Sequence, residues 1–294
     1  MSPRSPKLVV LGCAAALAGC AGTADSGGRI PVVAAENFYG SIVGQVGGAH
    51  VAVTSIIKDP SADPHEYTGT VDDTEAVAHA RLVVVNGASY DAFMEKLLAA
   101  SPTSGRTVIH VDKLTRVRGA DPNPHLWYDP RVAAAVARAT ASTLANVDPS
   151  HAAAYRKGAA RFVASLAPLE AEIVSLHTRF AGVPFAYTER VPGYLTERIG
   201  LSLETPAAFA RADEQGTDPP PQAVAAMRAL VTGHRIRLLV YNRQASSPAA
   251  SDIRALARRA GIPVVGVSET SPRGESYQQW QLDQLRAIDR ALSQ

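Results

Sequence analysis

"DPSHAAAYRKGAARFVASLAPLEAEIVSLHTRF", residues 148–180, carries one long helical pattern. Asp148 or Ser150 can cap its start, and at 1.5 Å per residue the pattern reaches roughly 45 Å. Pro168 has no amide hydrogen and is expected to kink it. A lobe of ordinary size does not need a helix of that length for its own packing. The stretch is therefore expected to be a linking helix, residues 148–181, between an N-terminal lobe of residues 30–147 and a C-terminal lobe of residues 182–294.

Both flanks of that helix carry the same rhythm. On the N-terminal side the apolar runs "PVVAAE", "VAVTSII", "RLVVVNG" and "TVIHV" alternate with helical patterns such as "FYGSIVGQVGG" and "SYDAFMEKLLAAS". On the C-terminal side "PFAYTE", "RIRLLVYN" and "IPVVGVSE" alternate with "DPPPQAVAAMRALVTGH", "SPAASDIRALARRAG" and a terminal "YQQWQLDQLRAIDRALSQ". Gly200, Gly233 and Gly261 stand where helices should end. Strands bounded by helices predict an α/β fold: two lobes, each a mostly parallel sheet flanked by helices, joined by one long linking helix. With 294 residues, 46% of them hydrophobic and 19% charged, the chain has the composition of a folded domain rather than a disordered one.

The first thirty residues differ from the rest. Arg4 and Lys7 precede "LVVLGCAAALAGC", which is too short to span a bilayer and has the zones of a secretory signal, residues 1–19. "LAGC", ending at Cys20, resembles a bacterial lipobox. Cleavage there would leave Cys20 as a lipid-bearing N-terminus on a small polar tether, residues 20–29. The competing reading makes Cys13 and Cys20 ordinary small residues of the signal core; the small residues before Cys20 and the tether after it favour the lipobox. A lone lipidated cysteine leaves no disulfide partner, so the fold must rest on its core. The expected location is the cell envelope, on the outer face of the cytoplasmic membrane, as a monomer. Of 29 basic and 27 acidic residues, Arg4 and Lys7 fall in the removed segment, which leaves the mature chain near neutral. Without a basic run, a nucleic-acid partner is not expected.

Ligands of open α/β sheets bind beyond the carboxyl ends of the strands. Four coordinating side chains stand there. His65 follows "VAVTSII" within "DPSADPHEY", His125 lies in "DPNPHLWYDP", Glu189 ends "PFAYTE" and Glu269 ends "IPVVGVSE". Two neutral imidazoles and two carboxylates sum to zero with a divalent cation, so such a site can be buried between lobes. Pro64 and Pro124 fix the backbone before each histidine and lower the cost of ordering its loop. The other histidines read differently: His50, His79, His151, His177 and His234 fall at helix ends or on helix faces, and His110 lies inside a strand pattern. Taken singly, Glu189 and Glu269 read as surface acids; agreement among four strand ends is what singles out the set. Tyr67, Trp127, Tyr128 and Tyr194 lie near these positions as packing residues or supporting donors.

The signatures of common catalytic sites are missing: no H-E-x-x-H, C-x-x-C, G-x-S-x-G, G-x-x-x-x-G-K or G-x-G-x-x-G after a strand. A secreted metal hydrolase remains as an alternative and would need an open coordination position and a base, for which Glu66 is the nearest acid. A receptor for a metal chelate such as a siderophore or cobalamin is another, and would need a wide aromatic or basic cleft.

"ENFYGSIVGQVGG", "VAVTSIIKDPSADPHEYTGTVDD", "LVVVNGASYDAF" and "NPHLWYDP", in this order and with the closing "SYQQWQLDQL", resemble the zinc/manganese solute-binding lipoproteins of bacterial ABC importers. The resemblance covers almost the whole mature chain. It implies a metal held between two lobes by four residues and handed to the permease of the same import system, with no chemical conversion. The family's histidines fall on His65 and His125. Its third ligand, histidine in most zinc members and glutamate in most manganese or iron members, is here Glu189 within "TERVPGYL". Its fourth is usually aspartate; "SETSP" puts Glu269 there, one methylene longer, with Ser268 adjacent as the alternative donor. The mixed oxygen-rich set, and the lack of a His-rich insertion between His65 and His125, favour Mn2+ or Fe2+ slightly over Zn2+ as cargo, although zinc stands higher in the stability order.

Overall fold

The computed structural model describes residue 1 and residues 28–294 apart from 63, 118, 120 and 246. The leader and Cys20 lie outside the described residues.

Apolar β-branched runs build the first sheet. Strands β1 (Ile30–Glu36), β2 (Val51–Ile57), β3 (Leu82–Val85) and β4 (Thr107–His110) pair in parallel in the order β2-β1-β3-β4. Helices α1 (Asn37–Gly47), α2 (Val71–His79), α3 (Ala92–Ala100) and the short α4 (Val111–Leu114) connect or follow them, and α5 (Pro130–Val147) covers the sheet from behind. Both sheet faces are apolar because both are covered, as parallel sheets require. Val33, Ala35, Val83 and Val85 face Phe93, Met94 and Leu97 on one side, while Val32, Ala34, Leu82 and Val84 join Phe38, Ile42 and Val136 on the other.

The second lobe repeats the topology. Strands β5 (Pro184–Tyr187), β6 (Ser202–Leu203), β7 (Leu238–Asn242) and β8 (Val264–Val267) pair in parallel in the order β6-β5-β7-β8. Around them stand α8 (Gly193–Ile199), α9 (Ala207–Glu214), α10 (Pro221–Thr232), α11 (Pro248–Arg259) and α12 (Tyr277–Leu292). In each lobe the order reverses beside the first strand, which opens a crevice at the carboxyl ends.

Between the lobes run α6 (Ala152–Ser165) and α7 (Ala167–Phe180), which meet at Leu166. The bend falls two residues before Pro168, whose missing amide hydrogen interrupts the ladder there. The start differs from expectation. Neither Asp148 nor Ser150 caps the backbone with its side chain; instead the Asp148 carboxylate accepts from the Ser150 hydroxyl at 2.5 Å and the Tyr155 hydroxyl at 2.7 Å. Among the helix stops, Gly200 takes the left-handed conformation at φ 80°, whereas Gly233 stays at φ −87° and His234 takes the left-handed turn at φ 50°. Sequence periodicity passed over β6 and α9. The strand is two exposed residues, and the helix is eight residues long behind Pro206.

Candidate metal centre

Each proposed donor is delivered by a strand end. His65 sits in a 3-10 turn, Pro64–Glu66, beyond β2, and His125 precedes a second one, Leu126–Tyr128, beyond β4. Glu189 lies two residues past β5 and Glu269 two past β8. The loops bring all four together, two from each lobe, with their donor atoms within 4.8 Å of one another. His65 Nε2 is 3.7 Å from Glu189 Oε1 and 3.4 Å from Glu269 Oε2. His125 Nε2 is 3.8 Å and 3.5 Å from the same two oxygens. The side chains of His125, Glu189 and Glu269 are fully buried, while His65 is 21% accessible.

Hydrogen bonds outside the cluster aim these atoms. Asn123 Nδ2 donates to the Arg190 carbonyl at 2.9 Å, which can only accept and so fixes the amide orientation. Asn123 Oδ1 therefore faces His125 and accepts from its Nδ1 at 2.7 Å, leaving the Nε2 lone pair toward the carboxylates. Tyr194 in turn donates to the Asn123 carbonyl. Asn242, at the end of β7, donates through one Nδ2 to Glu189 Oε2 at 2.8 Å and to Glu269 Oε1 at 2.5 Å. Tyr90 donates to Glu269 Oε2 at 2.7 Å, and Gln244 Oε1 accepts from the Glu269 amide. His125 Nε2 and Glu189 Oε1 make no hydrogen bond although both are buried. Orphaned atoms facing one another across a few ångströms are what a cation would satisfy.

The electrostatics agree. Burial, and then the charge of Glu269, pushes the Glu189 carboxyl well above the ordinary range, with Asn242 offsetting part of the rise. Burial also acts upward on Glu269, but the two histidine rings that face it at 3.5 Å and 3.4 Å outweigh burial and hold that carboxyl well below the ordinary range. Two carboxylates this close share the cost of desolvation unevenly; a divalent ion between them would remove the conflict.

The remaining sequence candidates are elsewhere. The Ser268 hydroxyl donates to the Thr270 carbonyl and accepts from Trp280 Nε1, so it is committed outside the cluster. Glu66 is exposed and stands in the cleft outside the four donors. Tyr128 ties into the Ser268 carbonyl and Gln284, Tyr67 donates to Asp73, and Trp127 stacks on Phe38 at 4.3 Å beside His125. His110 lies 3.8 Å from Glu95, away from the centre. Asn123, Asn242, Gln244 and Tyr90 escaped the sequence reading. The one signal they carry is the strand-end position of Asn242.

A family model described as zinc-uptake complex component A, periplasmic, matches residues 32–291. A putative metal-binding protein of Treponema pallidum is 22% identical over 285 residues, covering 90% of this chain and 88% of the relative. A manganese-binding lipoprotein of Halalkalibacterium halodurans is 26% identical over 170 residues, 55% of this chain and 56% of the relative. Among solved structures, the solute-binding protein FpvC of P. aeruginosa with Ni2+ superposes with a TM-score of 0.75 at 20% identity, covering 90% of this chain and 97% of that one. The likeness extends to the two-lobed architecture with its linking helix.

Proposed function

Because the chain belongs to the family of periplasmic zinc-uptake components, we propose that it is the extracytoplasmic receptor of an ABC importer, which captures a divalent transition-metal ion between its lobes and delivers it to the permease. The observation that carries this reading is the convergence of His65, His125, Glu189 and Glu269 from both lobes within 4.8 Å. The first pair supplies neutral nitrogen, the second supplies two negative charges, and the sum is zero with a divalent ion. Nothing is converted; the ion is cargo.

The donor set is two nitrogens and two oxygens, which favours Mn2+ or Fe2+ over Zn2+ by ligand hardness, although zinc stands higher in intrinsic affinity. Relatives carry names for manganese, iron and zinc alike. Cys20 is proposed as a lipidated anchor to the membrane, and the receptor as a monomer. Among the described residues no helix is long and apolar enough to cross a membrane.

Calorimetry at neutral pH tests the reading. The wild type is expected to take up one Mn2+ or Zn2+ per chain, and His65→Ala and His125→Ala are each expected to abolish stoichiometric uptake. Wild-type affinity retained in both variants would overturn the assignment.

A further inference from the structure

Both hydrogens of the Asn242 amide point into the metal centre. Its Nδ2 donates to Glu189 Oε2 at 2.8 Å and to Glu269 Oε1 at 2.5 Å. Its Oδ1 accepts from the Gln244 backbone amide at 3.1 Å, a group that can only donate, so the side chain cannot be flipped. The sheet order explains the position. β7 lies between β5 and β8, so Asn242 at its end, 2% exposed, falls between the loops that carry the two glutamates.

The amide holds one oxygen of each carboxylate on its own side. A carboxylate that chelates an ion must turn both oxygens to it, and neither glutamate can do so while it keeps this hydrogen bond. Each residue then offers one atom. Glu189 gives Oε1, buried and without a hydrogen-bond partner; Glu269 gives Oε2, which keeps a lone pair beside its bond from Tyr90; His65 and His125 give Nε2. Bonds of about 2.0–2.2 Å give a tetrahedron edges of about 3.3–3.6 Å and an octahedron edges of about 2.8–3.1 Å. The four nitrogen–oxygen pairs lie at 3.4, 3.5, 3.7 and 3.8 Å. None is as short as an octahedral edge.

We infer that Asn242 is a specificity-determining positioning residue: by limiting each glutamate to a single oxygen it sets the coordination number at four and so biases the receptor's choice among divalent ions. The inference rests on the receptor reading above. A four-coordinate tetrahedral centre suits Zn2+, whereas Mn2+ suits an octahedral, oxygen-rich one. The hardness of the two oxygens therefore pulls toward Mn2+ and the coordination number toward Zn2+. Without the amide both glutamates can chelate, two nitrogens and four oxygens become available, and only the first pull remains.

Co2+ is the probe of coordination number, because its visible absorption is strong in a tetrahedral field and weak in an octahedral one, which has a centre of symmetry. The wild type loaded with Co2+ is expected to show the strong band, and Asn242→Ala to lower it about fivefold or more. Competition with a chelator then compares Zn2+ with Mn2+: Asn242→Ala is expected to lose zinc affinity about 10- to 100-fold and to hold Mn2+ within about threefold of the wild type. A merely structural part for Asn242 would weaken both ions alike and leave the band unmoved. Asn242→Ser keeps one donor hydrogen and is expected to fall between, which preserves the comparison if the alanine variant does not fold. A weak band in the wild type, an unchanged band in the variants, or a Zn2+ to Mn2+ affinity ratio within about twofold of wild type in both overturns the role of Asn242. Failure of the wild type to hold any of the three ions would instead overturn the receptor reading.

Discussion

Asn242 keeps two like charges side by side. One amide group donates to both glutamates of the centre, so each is left with its other oxygen turned toward the histidines. Asn123 does the same service for His125 by fixing which ring nitrogen carries hydrogen. Such supports hold donors in place before an ion arrives. Glu36, at the end of β1, has no support of that kind: it is fully buried and neither oxygen has a hydrogen-bond partner. Burial, then the charges of Asp91 and Glu269, pushes its carboxyl well above the ordinary range. A raised folded-state value means that the fold favours the protonated form. The stability it contributes is complete below the ordinary carboxyl range and is lost as pH rises through the folded value. Glutamine keeps the neutral form at every pH. Glu36→Gln is therefore expected to leave the metal-free protein unchanged near pH 4 and to stabilise it at pH 8 by about 1–3 kcal/mol, the cost of an unsatisfied buried group. Calorimetric melting would register that as roughly 2–4 °C per kcal/mol. An equal gain at both pH values, or none at pH 8, would argue against a strained Glu36.

At the scale of elements, α6 shows how closely the linking segment is packed. A Cβ at Gly158 would lie 2.2 Å from the Val46 carbonyl oxygen at the end of α1. Alanine is the better helix former by about 1 kcal/mol. Here the contact is with backbone, which cannot turn aside, and overpacking of this kind costs about 1–3 kcal/mol or more. The clash wins, so Gly158→Ala is expected to lower the urea midpoint with an unchanged slope; a raised midpoint would show that α1 and α6 separate freely. This close approach was invisible in the sequence, where Gly158 reads as a mildly unfavourable helix residue. Strands buried on both faces, such as Leu82–Val85, were legible because continuous apolar runs admit few other readings. Short elements such as β6 were not, because Ser202 and Leu203 are held by backbone bonds to β5 rather than by any apolar pattern. The same division runs through the centre. His65 and His125 stood out behind their prolines, and Glu189 and Glu269 by strand-end position, whereas Asn123 and Gln244 are neutral amides that only tertiary adjacency marks, and Asn242 shares the strand-end position but not the charge.

Across the whole molecule the lobes are not free bodies. One core runs from Phe38 and Trp127 in the first lobe to Tyr277, Trp280 and Phe185 in the second. Above it, Asn37 exchanges two hydrogen bonds with the Ser271 backbone, and Tyr277 donates to the Trp127 carbonyl. A molecule built so resists a wide hinge, and closure is expected to be small. Release must then work on the loops that carry the donors. The accessible tie among these is Arg190, directly after Glu189, which reaches across the cleft to Asp121 at 3.2 Å while its Nε holds Glu214 at 2.7 Å. Asp121 is 43% exposed, so this pair belongs to the weak class worth about 0.2–1 kcal/mol. Asp121→Asn is accordingly expected to speed metal dissociation by about 1.4- to fivefold, at about 1.4 kcal/mol per tenfold. Arg190→Gln also strands Glu214, which is 7% exposed, and is expected to exceed tenfold on the 1.5–3 kcal/mol or so that a charged hydrogen bond contributes. Dissociation is read by chasing the loaded protein with excess chelator. Salt should carry the wild-type rate toward that of Asp121→Asn, because an exposed pair is screened. If Asp121→Asn releases metal at the wild-type rate in low salt, the cross-cleft pair does not hold the donor loops, and release is governed by the shared core beneath them.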